Sequence, residues 1–327
     1  MRKLLTLLLL TALALGTWLA WGLLLPATPG GQKFVMLRSG YTTRRIASEL
    51  KSAGVIRSEK AFLLWHYFHR RASLKAGEYL FERPATLVEV HHRLALGDIY
   101  THTVVIPEGY TMFDIAQTIE QAGLGSKDDF LKVARSETDL IHDLAPEATT
   151  LEGYLFPDTY QLTRTQSMHD IASVMVHHFQ QIAASLGLNT DVHRTVTMAS
   201  IVEKETAAPE ERPLVASVYY NRLTRRMALD ADPSVIYAEL LMNTYQGALH
   251  HEDLQTKSPY NTYRYPGLPP GPIANPGRGS LEAAMHPAVS DYLYFVSNGN
   301  GHHRFARSLE EHNRNVIAFR HALQHRP

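Results

Sequence analysis

Leu4 to Leu25 is an almost unbroken apolar run, preceded by Arg2 and Lys3 and ended by Pro26. As a helix, a stretch of about 20 apolar residues matches the hydrocarbon thickness of a bilayer. The basic pair predicts a cytoplasmic N-terminus and places the rest of the chain on the far side of the membrane. The rival reading is a cleaved secretory signal peptide, whose apolar core is shorter, ~7–15 residues, and ends at a small-residue site. Trp18 and Trp21 lie inside the run and no clean site follows it, so a retained single-span anchor over residues 1–26 is expected. Under either reading, nearly all of the chain works outside the cytoplasm.

The 327 residues leave room for two further domains. Thirty-two basic residues balance 32 acidic ones, so no net charge points to a nucleic-acid partner. There is no cysteine, which excludes disulfides and thiolate metal sites. Histidines pair at His91-His92, His177-His178, His250-His251 and His302-His303. None stands in an HExxH or comparable ligand spacing, and neither a metal nor a cofactor is expected.

Ala27 to Lys33 reads as a linker, and an internal repeat follows. Phe34 to Leu37, Gly40-Tyr41-Thr42, Ile46-Ala47, Ala53-Gly54 and Phe62-Leu63 return in order as Val104 to Ile106, Gly109-Tyr110-Thr111, Ile115-Ala116, Ala122-Gly123 and Phe130-Leu131. Tyr79-Leu80-Phe81 has a counterpart in Tyr154-Leu155-Phe156. Each copy predicts a strand, a glycine turn and a helix with one apolar face, stopped by glycine. This pattern resembles small LysM-like glycan-binding modules; a duplicated packing unit is the plainer alternative.

From Met168 the pattern becomes helical, with helices expected at Ile171–Ile182, Val192–Thr206 and Leu214–Leu223. Asp232-Pro233 reads as an N-cap and first-turn proline opening another. Asp291 to Val296 reads as a buried strand, and a last helix starts near Leu309. The fold class is therefore α+β: a membrane helix, LysM-like α/β modules at 27–100 and 101–165, and a mainly helical catalytic domain at 166–327 with a small β element.

Three stretches can carry chemistry. Glu205 shares a helical stripe with Met198, Ile201 and Val202. A carboxyl on such a stripe has its pKa raised by burial, as a general acid requires. Glu203 lies about 200° round the helix and cannot share the same cleft; a solvated Glu205 at a fraying helix end is the competing reading. Ser258 to Gly277, rich in Pro, Gly, Tyr and Asn, predicts a rigid irregular loop presenting Asn261, Thr262 and Tyr263 to sugar hydroxyls. Glu152 to Tyr160 offers Glu152 or Asp158 as a second carboxylate, which a two-carboxylate glycosidase would need.

The series ASIVEKET (199–206), VASVYYNRL (215–223), DPSVIYA (232–238), SPYNTY (258–263), GLPPGPIANPG (267–277), SLEAAMHP (280–287), YLYFV (292–296) and the closing His312-Asn313 resembles the endolytic murein transglycosylase, or YceG-like, family. The resemblance covers nearly the whole chain. It implies an inner-membrane lytic transglycosylase that cuts nascent peptidoglycan strands endolytically, with peptidoglycan synthases as partners. One glutamate, matching Glu205 with Glu203 as fallback, would act as acid and then as base. Cleft residues carry over onto Asn261 and Tyr263, and further onto Glu152 and Ser234. Asp230 departs from the family, where glutamine is common, which bears on subsite preference. Two other classes stay open: a non-catalytic peptidoglycan-binding anchor, and a hydrolytic muramidase using Glu205 with Glu152 or Asp158.

Overall fold

The computed structural model describes residues 2–324. By contacts the chain forms two compact units, residues 1–103 with 161–166, and residues 104–160 with 167–327.

The first unit begins with α1 (Arg2–Leu24), an exposed apolar helix long enough to cross a membrane. β1 (Lys33–Leu37), α2 (Thr43–Ser52), α3 (Glu59–Phe68) and β2 (Gly77–Phe81) follow. β1 and β2 pair antiparallel, from Lys33 opposite Phe81 to Leu37 opposite Gly77. Leu37, Leu50, Phe62, Tyr79 and Phe81 meet in one core, which α4 (Leu87–Leu96) completes with Leu87, Val90 and Leu94. β3 (His102–Val105) leads out of this unit.

The second repeat copy builds α5 (Met112–Gln121) and α6 (Lys127–Ser136). The duplication holds at the level of caps. Thr42 and Thr111 each accept a hydrogen bond from the backbone N–H three residues on, opening α2 and α5. Ile46, Ala47 and Leu50 are buried in one copy, as are Ile115, Ala116 and Ile119 in the other. Gly54 and Gly123 follow their helices at φ 74° and 67°, a backbone region that favours glycine. The copies diverge later. Tyr79 to Phe81 is strand, whereas Tyr154 to Phe156 forms a turn, held by Asn275 Oδ1 accepting from Gly153 N and Leu155 N. Strand resumes only at β4 (Thr159–Leu162), the hydrogen-bonded neighbour of β3.

The remaining elements are α7 (Met168–Leu186), α8 (Val192–Glu205), α9 (Arg212–Thr224), α10 (Asp232–Met242), α11 (Arg278–Met285), the hairpin β5 (Tyr294–Ser297) and β6 (His303–Ala306), and α12 (Leu309–Gln324). The expected helices are present; the buried strand expected at 291–296 is instead the half-buried β5, which starts only at Tyr294, with β6 as an unforeseen partner pairing from Tyr294 opposite Ala306. α8 is the centre of this unit and touches α9, α10 and α11. Val196 through Val202 are buried on every side, so α8 is a core helix and not a half-exposed amphipathic one. Its polar atoms are matched accordingly: Ser200 Oγ donates to Thr197 O and accepts from Ile273 N.

Candidate active site

α8 ends at Glu205, where the chain turns to extended backbone at Thr206. The helix therefore delivers this carboxyl from a packed core to the wall of a cleft of about 380 Å³. α9 runs alongside and supplies Tyr219, whose hydroxyl donates to Glu205 Oε1 at 2.7 Å. One turn further, Arg222 donates to the carbonyls of Leu293, Ala228 and Leu229, and pairs with Asp230 at 3.1 Å. Its guanidinium lies 5.1 Å over the Tyr294 ring, which in turn stacks on His312. Arg222 thus ties the β5–β6 hairpin and the 228–230 turn to the cleft.

Burial pushes the Glu205 pKa from 4.5 up to about 7, and the negative charge of Asp232 adds to the rise; the Tyr219 hydrogen bond and Arg222 oppose it. Near neutral pH the group therefore exists both with and without its proton. Burial, helped by Arg222, lowers the pKa of His312, which also lines the cleft, and favours its neutral imidazole.

Of the residues singled out in sequence, Glu205, Tyr263 and Asp230 line this cleft. The others lie elsewhere. Glu203 faces away from it, as an offset of two residues on a helix requires: it pairs with Arg212 at 3.2 Å and accepts from Gly277 N. Asn261 is fully buried, donating to Leu254 O and Thr256 O and accepting from Tyr263 N. Ser234 is fully buried and shares hydrogen bonds with Ala231 O and Thr262. Asn261, Thr262 and Ser234 thus shape and pin the loop that presents Tyr263, and their polar groups are engaged within the fold.

Glu152 is buried among Met112 N, Asn275 Nδ2 and Tyr237, and burial raises its pKa to about 8. Asp158 is half exposed beside His178. Neither lines the Glu205 cleft. The expected N-cap role of Asp232 is corrected as well. Ala231 is the N-cap of α10, and the Asp232 carboxylate instead accepts from the Tyr263 hydroxyl at 2.6 Å. Sequence reasoning missed Tyr219, Arg222, Asp232 and His312 as cleft residues, although all four fall inside or next to the quoted motifs. A larger hollow, about 640 Å³, lies in the first unit between β2 and α4. There Arg93 is tied to Asp98 and Glu89 to Thr86, so chemistry favours the smaller cleft despite its size.

A carboxyl poised at neutrality and open to a tyrosine-lined cleft can give and take a proton in turn, the equipment of an acid–base enzyme. Comparison with known proteins supplies the family. The model of the YceG-like family matches residues 35–318, and the chain belongs to that family. It is 35% identical to the endolytic murein transglycosylase of Bacillus subtilis over 301 residues, covering 86% of this chain and 82% of that one. It is 30% identical to the endolytic murein transglycosylase of Streptococcus pneumoniae, covering 90% of this chain and 60% of that longer protein. Among solved structures, a yceG-like protein of Listeria monocytogenes superposes with a TM-score of 0.56 at 33% identity, covering 86% of this chain and 98% of that one.

Proposed function

We propose that this chain is an endolytic peptidoglycan lytic transglycosylase with Glu205 as its single acid and base. The observation that carries the reading is the Glu205 carboxyl, delivered to the cleft by the end of a buried helix and held there by the Tyr219 hydroxyl. In the first step the Glu205 proton passes to the glycosidic oxygen between N-acetylmuramic acid and N-acetylglucosamine, and the C1–O bond breaks. The ionised carboxylate then takes the proton of the muramic C6 hydroxyl while its oxygen bonds to C1. A 1,6-anhydro ring closes, no water is consumed, and Glu205 ends protonated as it began. Asp232, fixed by Tyr263, adds negative charge near the developing oxocarbenium ion.

α1 anchors the protein by a single span in the inner membrane, with the second unit on the extracytoplasmic side. The strand–helix–helix–strand order of residues 33–81 supports reading the first unit as a LysM-like glycan-holding module. Peptidoglycan synthases are the partners in ending strand growth. Mass spectrometry of products from isolated glycan strands tests the chemistry. Anhydro ends, lacking the elements of water, are expected; reducing ends would assign a hydrolytic muramidase. Binding without any cleavage would assign a non-catalytic anchor.

A further inference from the structure

α3 has one face in the core of the first unit and another that is bare. Ala61 and Phe62 are fully buried, while Leu64, Tyr67 and Phe68 are 37%, 55% and 73% exposed. The chain continues directly into Arg70 and Arg71, both exposed, and Arg70 lies 4.3 Å over the Tyr67 ring. A protruding aromatic and leucine surface next to two arginines is unusual for a face that meets only water.

The neighbour of α3 indicates what covers that face. α1 packs against α3 and α4 through its last two turns. A Cβ on Gly22 would stand 2.9 Å from Ala61 Cβ, so only glycine allows this approach. Trp18 and Leu23 pack against the core that also contacts Trp65, and Arg57 lies over Trp21 while donating to Pro26 O. At 1.5 Å per residue, α1 is about 35 Å long, against about 30 Å of hydrocarbon. Trp18 lies about 9 Å before the end of α1 and Gly22 about 3 Å. Gly22 therefore falls where the hydrocarbon gives way to headgroups, the level at which tryptophan and tyrosine collect, and Trp18 lies about 6 Å deeper. Because α3 touches α1 at that level, its bare face has the membrane surface within reach.

We infer that α3 is a membrane-surface helix, resting Leu64, Tyr67 and Phe68 in the outer interface of the bilayer that α1 spans, with Arg70 and Arg71 on anionic phospholipid headgroups. The inference rests on reading α1 as a membrane span. Apolar area in the interface and basic charge on headgroups act together in such contacts, and the single acidic residue of α3, Glu59, lies in its first turn. The first unit would then be held against the membrane by two elements, which limits how far it can tilt about α1.

The absence of cysteine makes a direct test available. Full-length protein carrying Phe68→Cys, Leu10→Cys or Ser39→Cys, each labelled with one fluorophore, is reconstituted into vesicles containing a lipid-borne quencher. The vesicles are phosphatidylcholine alone or phosphatidylcholine with phosphatidylglycerol. The label at 68 is expected to lose most of its emission in the phosphatidylglycerol vesicles while the label at 39 keeps its own. Arg70→Glu with Arg71→Glu is expected to restore much of the lost emission. Quenching at 10 but not at 68 would overturn this inference and leave the span intact; quenching at neither would overturn the span as well. Equal loss at 68 in phosphatidylcholine alone would remove the anionic lipid and overturn the inference as stated. Spontaneous disulfide pairing of Phe68→Cys chains in place of quenching would assign the face to a second copy.

Discussion

Among single residues, the proposed chemistry depends first on how Glu205 is held. Replacing it by Gln removes the proton that must be given and reclaimed, and turnover is expected to fall by about 10²–10⁴-fold or more with glycan binding kept. Tyr219→Phe is a finer test. Its hydroxyl favours the ionised carboxylate, so its loss raises the Glu205 pKa further. In the proposed mechanism kcat/KM requires the protonated form at the start, so wild-type activity is expected to fall as pH rises through about 7. In Tyr219→Phe that limb is expected at higher pH, with a lower plateau because the carboxyl is no longer fixed. A limb that stays in place or moves down would contradict this role. Glu205 could be singled out in sequence because it shares a helical stripe with Met198, Ile201 and Val202 and lies in the ASIVEKET motif, although α8 proves to be buried all round from Val196 to Val202. Tyr219, Asp232 and His312 were not, since their meeting depends on how α9, α10 and α12 pack. Asn261 and Ser234 make a related point: a polar side chain, whether in the 258–277 loop or in the first turn of α10, can be taken up by partners within the fold, and sequence does not show which groups remain free.

At the scale of elements, the cleft depends on α8 being clamped between α11 and the turn of residues 151–157. Gly153 sits at φ 89°, and a Cβ there would stand 2.4 Å from Pro272 and 2.8 Å from Val196. Gly153→Ala combines backbone strain with overpacking and is expected to cost about 2–4 kcal/mol of stability, read from urea unfolding. Thr262→Val removes the acceptor of Ala231 N and the partner of Ser234, and is expected to cost about 1–2 kcal/mol. It should also raise KM if Tyr263 meets substrate. The helices, their glycine stops and the first halves of both repeat copies could be read in advance, because caps and apolar spacing are local; that Tyr154 to Phe156 turns where Tyr79 to Phe81 runs as strand could not. The β6 strand could not, since a short run such as His303 to Ala306 becomes strand only through its pairing with β5.

At the scale of the whole molecule, two carboxyls with raised pKa values set the pH dependence of stability. Glu152 and Glu205 ionise readily in the unfolded chain near 4.5 but keep their protons in the fold up to about 8 and about 7. The folded state therefore binds more protons across that window, and stability falls as pH rises through it, levelling off above about 8. Thermal unfolding between pH 5 and 8 should show this decline, and Glu152→Gln should flatten it without abolishing turnover. The same two groups offer the most direct test of the central claim, a single proton-retaining carboxyl in the cleft. Carbon-13 NMR of glutamate side-chain carboxyls, in the wild type beside Glu205→Gln and Glu152→Gln, resolves each titration. A carboxyl titrating near 7 that vanishes only in Glu205→Gln is expected. If that substitution instead removes a signal titrating at the ordinary glutamate value, Glu205 is a solvated side chain and the proposed chemistry fails.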